Sequence, residues 1–205
     1  MQGYLFCRPM PLQDLIERGE LLPGAMLSER RLMDLTGFGR TPVREALRAL
    51  RSEGLLVPGA RRQLHVVDIS AEHRQEIATV RTALETAAAR VAVTTRTAGD
   101  VDGLRTLVLR QRRYARVGDS SAFMAADEEF HRTLAGVAAM PTLDRLLDQL
   151  GAFVRLARLG QPTPQRHMMA LVREHDALLD LLEEGDGEAL AEALGSHIVS
   201  TAPRT

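Results

Sequence analysis

Residues 19–56 read GELLPGAMLSERRLMDLTGFGRTPVREALRALRSEGLL, and their punctuation decides the architecture of the N-terminal part. Pro23-Gly24 reads as a turn. Ser28 is placed to cap a helix, because its hydroxyl can accept from an orphan amide of the first turn, and Leu32 and Leu35 fall on one face beyond it. Gly37 suits the left-handed position that ends such a helix. Thr41 is a second cap candidate, with Pro42 at the first helical position, where the missing N–H costs nothing. Val43, Ala46, Leu47 and Leu50 then recur at helical spacing as one apolar stripe, and Gly54 closes the element. Two helices joined by the tight turn TGFG make a helix-turn-helix. Short β-prone runs at 55–57 and 64–67, around PGARRQ, predict a hairpin beside it, in the place of a wing. Upstream, Pro9 and Pro11 confine a first short helix that closes near Arg18.

After Asp68 the pattern is helical throughout. The predicted spans are 71–95, 99–117, 121–138, 141–159, 164–184 and 187–201, bounded by Ser70, Gly99, Asp119, Pro141, Pro162 to Pro164, and Gly185 to Gly187. Connections this short favour antiparallel neighbours, hence a six-helix bundle. The expected fold is mainly α: a winged helix-turn-helix domain with a small β-hairpin over 1–68, then an all-α domain over 69–205. Composition agrees. Of 205 residues 45% are apolar, Trp is absent and Phe and Tyr are few, so the core must be built from Leu, Val, Ala and Met. Cys7 is the sole cysteine, which excludes an internal disulfide and fits a reducing cytoplasm. No apolar run reaches the ~18 residues of a membrane span, so a cytoplasmic chain with no membrane partner is expected.

The formal charge of -1 hides a local imbalance: residues 28–62 hold eight arginines against four acids. On the second helix of the pair the apolar stripe leaves Arg40, Thr41, Arg44, Glu45 and Arg48 toward solvent. Arg40 and Arg44 are one turn apart at the N-terminal end, where a recognition helix enters the major groove. A guanidinium fork there can donate to guanine O6 and N7, a contact worth roughly 1–3 kcal/mol of discrimination. Arg30 could reach the same groove or a phosphate, Thr41 suits a phosphate oxygen, and Arg61 and Arg62 at the hairpin tip suit the backbone or minor groove. Solvated arginines on an amphipathic helix give the same pattern, so charge alone leaves both readings open.

The stretch quoted above resembles the winged-helix domain of the GntR regulators, whose wording is close to L-S-E-x-x-L, then R-T-P-V-R-E-A-L-x-x-L-x-x-E-G-L. The match is long and ungapped. Residue by residue, the resemblance puts DNA contacts on Arg30, Arg40, Thr41 and Arg44. It departs at Gly39, where the family has Ser or Thr, and at Gln63, where the wing has Gly.

In the helical half, Asp127 and His131 stand one turn apart on one helix face. His175 and His197 flank the turn at Gly185 to Gly187 and can lie at one depth of an antiparallel pair. A bundle interior could then collect one carboxylate and three imidazoles around a divalent ion, a set suited to Zn, Ni or Mn with positions left open. Each His alone reads equally as a core or surface residue. The segments VRTALETAAARVA, ADEEFHRTLAGVA and REHDALLDLLEEGDGEALAEALGSHI resemble the helical FCD effector domain of the FadR subfamily, and six helices resemble its VanR-type variant. That resemblance implies Asp127, His131, His175 and His197 as metal ligands, zinc first, with a small carboxylic acid bound beside the ion. Arg81, in the family's R-x-x-L-E pattern, is the first candidate for the acid's partner, against an intrahelical pair with Glu85; Arg155 and Arg158 are the next. His65, His73 and His167 match no ligand position.

The leading expectation is therefore a homodimeric, ligand-responsive repressor on a pseudo-palindromic double-stranded operator. A regulator that senses the metal itself is the alternative. A metal-dependent enzyme is the less favoured one, as HExxH and G-x-S-x-G are lacking and the candidate glutamate bases beside the ligands, Glu128 and Glu129, are neighbours of Asp127 that point away from its face.

Overall fold

The computed structural model describes residues 22–59, 63–158 and 163–201. Strand β1 (Met26–Leu27) is followed by helices α1 (Glu29–Thr36) and α2 (Arg40–Ser52) and strands β2 (Leu56–Pro58) and β3 (Leu64–Val66). Helices α3 (Ala71–Thr95), α4 (Ala98–Val117), α5 (Ser120–Gly136), α6 (Pro141–Arg158), α7 (Gln165–Glu184) and α8 (Gly187–Thr201) complete the chain. The expected first short helix lies outside the described residues.

The N-terminal punctuation works largely as the residue types dictate. Ser28 caps α1 by accepting from the Arg31 amide, and Gly37 ends it at φ 70°, where its own amide reaches the Met33 carbonyl. At α2 the cap differs from expectation. Gly39 is the N-cap, with no side-chain hydrogen bond, and Thr41 and Pro42 both sit inside the first turn. Proline is tolerated there because first-turn amides lack intrahelical partners anyway, so Pro42 does not mark the first helical residue by itself. The hairpin is present, paired Leu56 with Val66 and Pro58 with Leu64. A third strand joins it: β1 pairs with the other edge of β3, giving the order β1-β3-β2. At the end of β2, a Cβ on Gly59 would meet the His65 ring, so a larger residue there requires that side chain to shift. Leu27, Leu32, Val43, Leu47, Leu50, Leu56 and Val66 are buried in this unit.

Packing divides the chain after Ser70, with α6 from Ala152 onward grouping with the N-terminal unit. In the helical unit α3 lies along α8, and α4 packs against both α5 and α7. The core there is made of aliphatic residues with Phe123, Phe130 and Met168, as a chain without Trp must make it. Thr97 and Asp100 form a reciprocal capping box at the start of α4. Leu104, on α4, is wholly buried among these helices. Leu104→Ala is expected to destabilise the fold by about 2–5 kcal/mol, seen as a lower denaturant midpoint at unchanged slope. Among the described residues, no helix is long and apolar enough to cross a membrane.

Candidate functional site

Two groups of side chains stand apart from the packing. The first is the arginine face of α1 and α2. Burial of Val43, Leu47 and Leu50 turns the opposite side of α2 outward, and the side chains of Arg30, Arg40 and Arg44 are 93%, 69% and 53% exposed. Thr41 and Arg48 are exposed as well. Arg30 lies 4.0 Å from Asp34 on its own helix. Glu29, in the first turn of α1, accepts from Arg44 Nε at 2.6 Å and stands 3.8 Å from Arg40 Nε. Arg61 and Arg62 lie outside the described residues.

The second group is buried. Asp127 and His131 come from α5, His175 from α7 and His197 from α8, and each is at most 3% exposed. One ligand atom from each lies within 4.8 Å of the others. His197 Nε2 is 3.1 Å from the Nε2 atoms of both His131 and His175, and His175 Nε2 is 3.6 Å from Asp127 Oδ1. The outward nitrogens are all engaged: His131 Nδ1 with Glu85 Oε2 at 2.7 Å, His175 Nδ1 with Gln111 Oε1 at 2.6 Å, His197 Nδ1 with Glu174 Oε2 at 2.6 Å.

These partners decide the tautomers. Gln111 Nε2 donates to the Ala126 carbonyl at 3.1 Å, which leaves its Oε1 to accept, so His175 must donate from Nδ1. Glu85 is a carboxylate acceptor for His131: burial would raise it, but Arg81 and His131 outweigh that and hold it at about 2. Glu174 is likewise lowered, chiefly by its hydrogen bond to His197. Burial holds His131 and His175 below the usual histidine range, the latter well below. With their single proton spent at Nδ1, both rings present an Nε2 lone pair to the same point. His197 can bring at most one proton to that gap, which does not satisfy two converging lone pairs. A divalent cation does, and three imidazole nitrogens with a carboxylate oxygen are a donor set for Zn, Ni or Mn. The donors fit the ion, and the Nδ1 partners have the form in which metal-bound histidines are usually oriented. Phe130 stacks on His175, ring centroids 4.3 Å apart, and further fixes that ring.

Arg81 lies buried one turn from Glu85 and donates to its Oε1 from Nε at 2.5 Å, the intrahelical pairing anticipated as one reading of it. Because Glu85 holds His131 through its other oxygen, Arg81 is connected to the cluster through a single carboxylate. Arg155 and Arg158 lie on the part of α6 that groups with the N-terminal unit. Sequence reasoning did not find Gln111 or Glu174, and knew Glu85 only as a partner of Arg81. Glutamates and a glutamine carry no spacing signal when their partners are 46, 64 and 23 residues away. Glu174→Ala is expected to weaken metal binding about 10- to 100-fold, by freeing the His197 ring, while the fold survives. A chelator competition checks this.

Comparison with known proteins agrees on both halves. Residues 76–200 match the family described as "FCD domain" and residues 11–66 match "Bacterial regulatory proteins, gntR family". The chain is 30% identical over 192 residues, 93% of its length and 83% of the relative's, to the "Probable D-xylose utilization operon transcriptional repressor" of Paenarthrobacter nicotinovorans. It is 27% identical to the "HTH-type transcriptional repressor RspR" of Escherichia coli strain K12, covering 87% of this chain and 78% of that one. Among solved structures, E. coli McbR/YncC superposes with a TM-score of 0.84 at 25% identity, covering 94% of this chain and 92% of the other.

Proposed function

Because the chain belongs to the GntR family of bacterial regulators and carries that family's FCD domain, we propose that it is a transcriptional repressor whose grip on its operator is modulated by a small carboxylic acid bound beside a divalent ion. The observation that carries this reading is the convergence of two donor-spent imidazoles and a third on one buried point, on three different helices. Asp127, His131, His175 and His197 hold the ion, zinc first among Zn, Ni and Mn. When bound, it supplies a Lewis-acid anchor for one oxygen of the acid. Arg81 takes the acid's remaining charge, at the expense of its contact with Glu85.

The N-terminal domain, 1–68, supplies Arg30, Arg40, Thr41 and Arg44 to the duplex, with Arg61 and Arg62 from the wing. The helical domain, 69–205, binds the acid and pairs two chains. A two-fold homodimer sets its two recognition helices on a pseudo-palindrome, so a change in their spacing changes affinity for the whole site. The relatives named as repressors support the sign of regulation, and the cytoplasm is where its DNA is found. Linkage requires that an acid which weakens operator binding be bound less well by the DNA-bound form, by the same factor.

Anisotropy of a labelled operator, titrated with the metal-loaded protein in the presence of a panel of small carboxylic acids, tests the proposal. At least one acid should shift the midpoint for the wild type and leave Arg81→Ala unmoved. A regulator that senses the metal itself answers the same assay differently: its midpoint follows free metal at buffered cellular levels, with no acid present.

A further inference from the structure

The contact of Glu29 with the two outward arginines of α2 is unlike an ordinary surface pair. One carboxylate serves both guanidinium groups with separate oxygens: Oε1 accepts from Arg44 Nε at 2.6 Å, and Oε2 faces Arg40 Nε at 3.8 Å. Glu29 itself is anchored. It lies in the first turn of α1, where the helix dipole favours a negative charge, and its side chain is only 38% exposed.

A guanidinium offers its five N–H groups along distinct edges. With Nε taken by Glu29, Arg44 can present a bidentate fork only from the Nη1–Nη2 end of its guanidinium. The carboxylate also removes one positive charge from a face that phosphate would otherwise attract without regard to sequence. We infer that Glu29 is a specificity-setting residue of this face: it orients Arg44 for one fork and suppresses attraction to arbitrary duplex. The inference rests on the proposed reading of Arg40 and Arg44 as groove-facing residues.

Two consequences separate the geometric role from the charge. Glu29→Gln removes the charge and weakens the hold on Nε. Affinity for arbitrary DNA should rise, and the slope of log affinity against log salt should steepen by about 0.9 for each protomer, about 1.8 for the two-fold dimer. Glu29→Asp keeps the charge on a side chain one methylene too short for the same contact, so the salt slope should stay as it is.

The test uses the full chain and two probes: a duplex selected by the wild type from a random pool, and a scrambled duplex of the same composition. In both variants the ratio of the two affinities should fall about a hundredfold, about tenfold for the fork lost in each half-site. Far-UV circular dichroism should be unchanged, since Glu29 is at the surface. A ratio that stays at the wild-type value in both variants would overturn the inference, leaving Glu29 as a surface charge alone. If the wild type selects no sequence at all, or Arg44→Ala keeps the wild-type ratio, the groove-facing assignment fails first and takes this inference with it.

Discussion

Arg44→Ala is expected to erase sequence-specific DNA binding while leaving a folded chain. Arg44 buries no core surface, its side chain being 53% exposed, and the apolar stripe of Val43, Leu47 and Leu50 that seats α2 is untouched. Its removal frees Glu29, an acid near enough to the surface to find water. A single bidentate contact to guanine discriminates by roughly 1–3 kcal/mol, and a two-fold dimer loses two of them, so specific affinity should drop by about one to four orders of magnitude. Footprinting and a thermal melt on the same preparation check both halves of this expectation. A protected footprint that survives at wild-type protein concentration would remove α2 from its assigned role.

The second large effect is in the helical domain. His175→Ala combined with His197→Ala should abolish metal binding and lower the melting temperature of protein purified without chelator. Both rings are buried, and both aim Nε2 at the shared point. An ion that binds only the folded chain stabilises it by mass action, about 2.7 kcal/mol when free metal is a hundredfold above Kd. The two substitutions also leave empty volume beside Phe130, which adds to the loss. The diagnostic feature is therefore the response to metal. Chelation should lower the melting temperature of the wild type and leave that of the double variant in place. Elemental analysis should find about one ion per wild-type chain and none in the variant. Unchanged metal content would refute the ligand set.

Sequence carried most of the architecture because its signals here are local. Ser28 and Gly37 bound α1 by hydrogen bonds that close within four residues, and the helices after Ser70 start and stop within a few residues of the predicted spans. Where a signal is shared between positions it misleads. Thr41 and Pro42 are both permitted in a first turn, so neither fixes the cap at α2, and Gly39 takes that place without a side-chain bond. Strand β1 has only two residues, too few for an alternating pattern, and exists because β3 offers it an edge.

The site was legible in the same uneven way. An Asp and a His one turn apart share a face by helix geometry, and the turn at Gly185 lets His175 and His197 be matched in depth. The orienting groups have no such arithmetic. Gln111 is identified only when α4 and α7 are seen side by side, and Glu29 only when α1 is seen against α2. A glutamate beside an arginine-rich helix reads in sequence as one more surface charge; its distance to two guanidinium groups is what distinguishes it.

The most direct test is the affinity of the metal-loaded full chain for a duplex spanning its own promoter region, against a scrambled duplex at modest ionic strength, before and after addition of a small carboxylic acid found by thermal shift. The account predicts a clear preference for the promoter duplex that the acid weakens in the wild type, and an acid response lost in His175→Ala/His197→Ala. Equal affinity for both duplexes, from protein shown by elemental analysis to hold its ion, would contradict it.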